Sequence, residues 1–368
     1  MKNLLPDKID SRVLSIIIFF TIVEFELFTL GRNIIKITGR DSWLSILIGS
    51  IFVTLMAYLL VHLARRFPEH NYFQYINCAW GKILGIAIVI AYLIFWGFFL
   101  TLLFKDIAEV NHIFFLPRTP LLIPIFLIAI GVVWLVTYGL IPIIRFTQIL
   151  SLFFIVPVLL IIPLSINNIE TKHFFPILEN GITPVLKGAV LYAGYFHGLE
   201  LILFIFPFIR KTNNTYKHAI LGVGIINLLA LCINIIVVGV LGIDNTTKML
   251  WPVTSMLSLI EVPGFPAERF ELFLTVPLLI TAFVTIAVTL YLLSYGIIQT
   301  FDLKNKKIVI CSAALITVLA TLLIPNFAWS IRLRDVHIYL TFIFIYFLPL
   351  STLLLIFFRR KGGTLGEK

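Results

Sequence analysis

The chain has 368 residues, of which 60% are hydrophobic and only 12% charged, with a formal net charge of +10. A soluble domain carries roughly 25% charged and about 45–50% apolar residues, so an ordinary soluble enzyme or binding domain is excluded. Nucleic-acid binding is excluded as well: the basic residues do not gather on one domain but stand in short segments between apolar runs, the pattern of membrane topology.

In chain order, the apolar runs predict about ten transmembrane helices, at roughly 13–30, 43–62, 83–104, 120–140, 146–166, 188–209, 219–243, 272–297, 308–327 and 338–358. A bilayer admits helices or a closed barrel. The runs lack the period-two alternation of a barrel, so an all-α polytopic fold remains, a single transmembrane domain over 1–368. No cleavable signal peptide is expected, because the apolar stretch after Arg12 is long, contains Glu24 and Glu26, and lacks a small-residue cleavage site. Cys78, Cys232 and Cys311 are far apart, the last two as small packing residues inside apolar runs. They make neither a disulfide framework nor a metal-ligand spacing, and no metal or cofactor is expected.

With the N-terminus inside, 17 of the 28 Lys and Arg fall in inside segments. This places both termini in the cytoplasm. Two outside loops are long, about 167–187 and 244–271, and the apolar stretch 256–260 in the second reads as a short helix lying on the membrane surface. Ten spans divide as five plus five, a first repeat over 13–166 and a second over 188–358. Five is odd, so the second half runs inverted, as in many secondary transporters, which bind solute where helices are broken near the midplane. The two most polar interruptions support this. Glu24 and Glu26 lie in span one; Gly194, His197, Gly198 and Glu200 lie in span six.

An ionisable group inside a span costs about 2.5–3.5 kcal/mol and needs a reason. Glu24 and Glu26 lie about 200° apart on an intact helix, so both face one cavity only if the segment unwinds. They read as a cation, proton or amine site, or as neutral acids bonded to a neighbouring helix. Glu200 follows His197 by three residues, which makes them neighbours on one helical face. They read as a gate or relay beside a helix break, or as a structural pair. Gly194 and Gly198 fit a break or a close helix contact. Glu271 stands with Glu268 and Arg269 at the start of span eight, as a site group or as helix-start charges. Tyr92, Trp96, Tyr195 and Tyr291 are pocket-lining candidates or packing aromatics, and Asn227 and Asn234 are interhelical glue. No nucleophile–base pair, phosphate loop or zinc motif appears, so no enzyme is expected.

The stretch Phe174-Phe175-Pro176-Ile177-Leu178-Glu179-Asn180-Gly181, running on through Leu186-Lys187-Gly188, resembles the B subunits of bacterial spore germinant receptors. Gly39-Arg40-Asp41-Ser42-Trp43, Arg65-Arg66-Phe67-Pro68, Trp251-Pro252, Glu268-Arg269-Phe270-Glu271 and Pro325-Asn326 are similar too, in the same order over nearly the whole chain. The resemblance implies the five-plus-five fold of the amino acid–polyamine–organocation transporter superfamily, with helices one and six broken. It also implies the inner membrane of the spore, A and C subunits as partners, and a small nutrient ligand. Glu200 falls at an acidic position of the family's sixth span. Span one departs from the family, with Glu24 and Glu26 where small residues, often Gly-x-Gly, are usual. The rival reading is a proton- or sodium-coupled amino-acid permease; a third is a scaffold that has lost ligand binding.

Overall fold

The computed structural model describes residues 9–23, 26–166, 168–210, 214–257 and 272–360. Long apolar runs with their backbone groups bonded internally give fifteen helices among these residues. In order they are α1 (Arg12–Ile22), α2 (Glu26–Thr38), α3 (Ser42–Arg66), α4 (Tyr72–Trp80), α5 (Lys82–Val110), α6 (Leu122–Thr137), α7 (Leu140–Ile166) and α8 (Ile182–Gly194). There follow α9 (Leu201–Ile205), α10 (Thr215–Lys248), α11 (Pro252–Leu257), α12 (Leu272–Phe301), α13 (Lys306–Leu322), α14 (Phe327–Thr341) and α15 (Leu348–Arg360). A π-helical segment, Phe342–Phe347, joins α14 to α15. Six helical stretches among the described residues are long and apolar enough to cross a membrane.

The outer faces carry many large apolar side chains. Ile51, Ile83, Ile94, Leu127, Ile130, Ile316 and Leu323 are all exposed. A continuous apolar exterior of this kind has lipid, not water, as its solvent, and the chain is a multi-pass membrane protein.

Inside, α1 packs against α10 and α12, α3 against α8 and α10, and α5 against α12, α13 and α14. The α3–α8 contact is close because both helices carry glycine there. A β-carbon on Gly188 would meet Ser45 Oγ at 2.6 Å, and one on Gly49 would meet the Ala189 carbonyl at 2.9 Å. Across α3, α8 and α10 polar groups are paired. Tyr192 donates to Asn227 Oδ1 (2.8 Å), Asn227 Nδ2 donates to Thr54 Oγ1 (3.1 Å), and Ser42 donates to Asn234 Oδ1 (2.9 Å). The asparagines bridge helices as expected. Ile9, just before α1, forms a parallel bridge with Ile209, just after α9. Beside it the Arg12 guanidinium hydrogen-bonds Asp10 and holds its carboxyl down at about 2.

Several expectations change. Helix α4 lies in a segment read as a loop, started by a reciprocal capping box between Asn71 and Gln74. A short helix after Trp251, Pro252–Leu257, is largely buried, with Val253, Met256 and Leu257 packed into the core, and it overlaps the predicted surface stretch only at 256–257. Residues 258–260 of that stretch lie outside the described residues. Helix α14 begins at Phe327, not near 338, since Asn326 caps it by accepting from Trp329 N–H at 3.1 Å. Cys311 is exposed on the apolar exterior instead of packed inside.

Candidate functional site

Two helices are interrupted side by side. Helix α1 ends at Ile22 and α2 begins at Glu26; α8 ends at Gly194 and α9 begins at Leu201. The 195–200 segment turns at Gly198, whose φ of 97° is open to glycine and strained for other residues. Its Cα faces the end of α1: a β-carbon there would lie 3.2 Å from Thr21 Oγ1 and 3.3 Å from the Thr21 carbonyl oxygen.

A helix end buried in a bilayer leaves polar groups that need partners, and the surrounding helices supply them. The Ala193 carbonyl at the end of α8 accepts from Tyr346 Oη–H at 2.7 Å. Gly198 N–H donates to Glu200 Oε2 at 2.7 Å, and Trp96 Nε1–H donates to Glu200 Oε1 at 3.1 Å. Glu200 is 3% exposed. Its carboxylate therefore closes the turn and ties it to the middle of α5.

His197 and Glu200 do not share a helical face as the spacing predicted. The break takes their segment out of the helix: Glu200 meets Trp96 and the Gly198 N–H, and the His197 ring lies 4.3 Å from Phe99 and 5.4 Å from His337, centroid to centroid. Tyr195 Oη accepts from Asn33 Nδ2 of α2 at 2.6 Å. Gly194 serves close packing, since a β-carbon there would meet Ile338 Cγ2 of α14 at 2.4 Å. Tyr92 is fully buried in an aromatic cluster with Tyr72, Trp96 and Phe204, and its hydroxyl donates to the Phe344 carbonyl. Tyr291 stacks on Tyr295. Glu26 opens α2. Glu24 and Glu271, with Glu268 and Arg269, lie outside the described residues.

A second polar group escaped the sequence reading. Asp106 on α5 is ion-paired with Arg334 on α14, and Ser330 donates to the same carboxylate at 3.3 Å. Lys105 and Glu109 pair beside it at 3.3 Å, one helical turn apart. The Asp106–Arg334 pair borders a cavity also lined by Arg32, Trp251, Phe327 and Asp335. Its free volume of about 30 Å³ holds a water or two, far below the 300 Å³ or more of a ligand pocket. The predicted spans 83–104, 308–327 and 338–358 leave Asp106 and Arg334 in loops, whereas α5 runs on to Val110 and α14 spans Phe327–Thr341. The signal available was the i, i+4 spacing of Lys105 and Glu109, which belongs to a continuing helix.

The chain matches a family model described as spore germination protein over residues 8–328. The chain belongs to the spore germination protein family. Among Bacillus subtilis relatives, spore germination protein YndE is 27% identical over 317 residues, covering 85% of each chain. Spore germination protein A2 is 26% identical over 348 residues, 94% of each. Among solved structures, MhsT in complex with L-phenylalanine superposes with a TM-score of 0.71 at 14% identity, covering 98% of this chain and 91% of that one. Mhp1, a nucleobase-cation-symport-1 family transporter, gives 0.63 at 16% identity, covering 85% and 71%. At these identities the likeness carries the fold alone. This spore germination protein is thus transporter-like in fold and non-enzymatic in class.

Proposed function

We propose that the chain is the nutrient-sensing subunit of a spore germinant receptor, binding a small solute where α1–α2 and α8–α9 are interrupted. The observation that carries this reading is the buried carboxylate of Glu200. It sits in a helix break that touches the end of α1, in a member of the spore germination family. Glu200 bonds to Trp96, which is central in the 29-residue α5, and this depth suits a site near the membrane midplane. The site so proposed comprises Glu24, Glu26, Tyr92, Gly194, Tyr195, His197, Gly198, Glu200 and Glu271.

The arrangement is ten spans in two inverted halves, 13–166 and 188–358, with spans one and six broken. The six long apolar stretches and the shorter apolar helices Arg12–Ile22, Leu122–Thr137 and Ile182–Gly194 support it, as does the likeness to MhsT. The excess of basic residues in alternate segments supports both termini in the cytoplasm. Family membership supports assembly with A and C subunits in the spore inner membrane.

The transporter likenesses favour one rival, a proton- or sodium-coupled amino-acid permease. Deleting the matching A subunit separates the two. A receptor subunit falls in abundance in the mutant spores, and vesicles bearing it take up no labelled amino acid. Unchanged abundance with concentrative uptake would establish the permease.

A further inference from the structure

His337 of α14 is fully buried, and neither ring nitrogen finds a hydrogen-bond partner among the described residues. Its faces are covered by two aromatic rings one turn apart on α5: Phe95 at 4.8 Å and 5°, and Phe99 at 4.9 Å and 12°. Stacking on both faces leaves the nitrogens at the ring's edge, and His197 of the helix break makes a T-shaped contact with the ring at 5.4 Å, centroid to centroid. A buried polar atom without a partner is a standing cost to the state that holds it, and native proteins keep few of them. Directly after α14 comes the π-helical segment Phe342–Phe347, a distortion frequent at functional sites. Its Phe344 and Tyr346 already engage Tyr92 and the end of α8.

We propose that His337 is a ligand-contacting residue of the site at the 195–200 break, rewarded with a hydrogen bond only when the solute enters. This rests on the nutrient-binding reading above. A neutral imidazole offers one N–H donor and one acceptor, and the break adds the carboxylate of Glu200. Together they suit a small solute that carries an amine beside a hydrogen-bond acceptor, the class of amino acids and their amides. The resting protein bears the cost of the unpartnered ring, and binding relieves it, so affinity and conformational change are coupled through this one side chain.

The test is His337→Phe, which keeps a flat ring between Phe95 and Phe99 and removes both nitrogens. Purified full-length protein carrying it is expected to melt about 2–4 °C higher than wild type. Spores carrying it are expected to need at least about tenfold more nutrient, in a panel of amino acids, amino-acid amides and the matching hydroxy acids. His337→Gln, which restores a donor and an acceptor, is expected to recover part of the response. If the phenylalanine variant fails to accumulate, His337→Leu answers the same question. An unchanged or lower melting temperature would show that the ring is already satisfied at rest, and an unaltered response would remove it from the site; either overturns the proposal. Hydroxy acids acting as well as amino acids would overturn the assigned solute class. A wild-type protein that responds to no nutrient at all would bring down the sensing reading and this inference with it, whereas a responsive wild type with an equally responsive variant brings down only His337.

Discussion

Gly198 and Thr21, far apart in the chain, touch where their two helices are both interrupted: a β-carbon on Gly198 would stand 3.3 Å from the Thr21 carbonyl oxygen. The two breaks therefore form one unit. Gly198→Ala adds a methyl into that contact and forces a side chain into a left-handed φ of 97°. It is expected to cost about 1–3 kcal/mol, seen as a lower melting temperature and less protein in the membrane. A variant as stable as wild type would mean that the turn does not hold this geometry.

Glu200→Gln keeps size and an acceptor for Trp96 but removes the titratable carboxyl group and sets an NH₂ among the backbone donors of the turn. Protein level is expected to stay normal while the nutrient concentration for half-maximal germination rises about tenfold, the equivalent of about 1.4 kcal/mol. Wild-type sensitivity would make Glu200 a purely structural tie between α5 and the break.

Arg334→Met leaves Asp106 buried without its cation, and breaking a pair in this way costs about 3–5 kcal/mol. The double variant Asp106→Leu with Arg334→Met removes both charges and is expected to recover most of that loss. Melting temperatures of the two single variants and the double variant complete the cycle. Additive losses would show that the two side chains do not interact.

Glu24→Gln and Glu26→Gln, made singly, test the departure in span one. Two carboxylates there attract a cation or an amine, or donate hydrogen bonds if protonated. At least one substitution is expected to change which nutrients are sensed, or the pH and sodium dependence of germination. Wild-type profiles from both would assign the pair to contacts between helices.

Reporter fusions at the two termini are expected to report cytoplasm, and one inserted within 167–187 to report the outside. Termini on opposite sides would rule out an even number of spans.

The membrane class, several apolar spans and the polar interruption near Gly198 were legible in the sequence because each is a local property. An apolar run crosses a bilayer whatever surrounds it, and glycines beside a buried carboxylate mark an irregular helix anywhere. The same locality explains the errors. The predicted spans 83–104 and 338–358 leave Lys105, Asp106, Glu109 and Arg334 outside the membrane helices, where a lone charge carries no insertion cost. Yet α5 and α14 carry them, since Asp106 meets Arg334 and Lys105 meets Glu109. Pairing offsets the insertion cost.

By itself, the sequence determined that this protein lives in lipid and that a polar interruption falls at 194–200. Both follow from which residues stand next to one another in the chain. Only the tertiary structure decided what each polar group meets. It set Glu200 on Trp96 and Gly198; Gly194 against Ile338; and His337 between two rings of α5. The physical reason is burial without water. Inside a bilayer a polar side chain must find its partner on another helix, and which helix that is depends on how the helices pack.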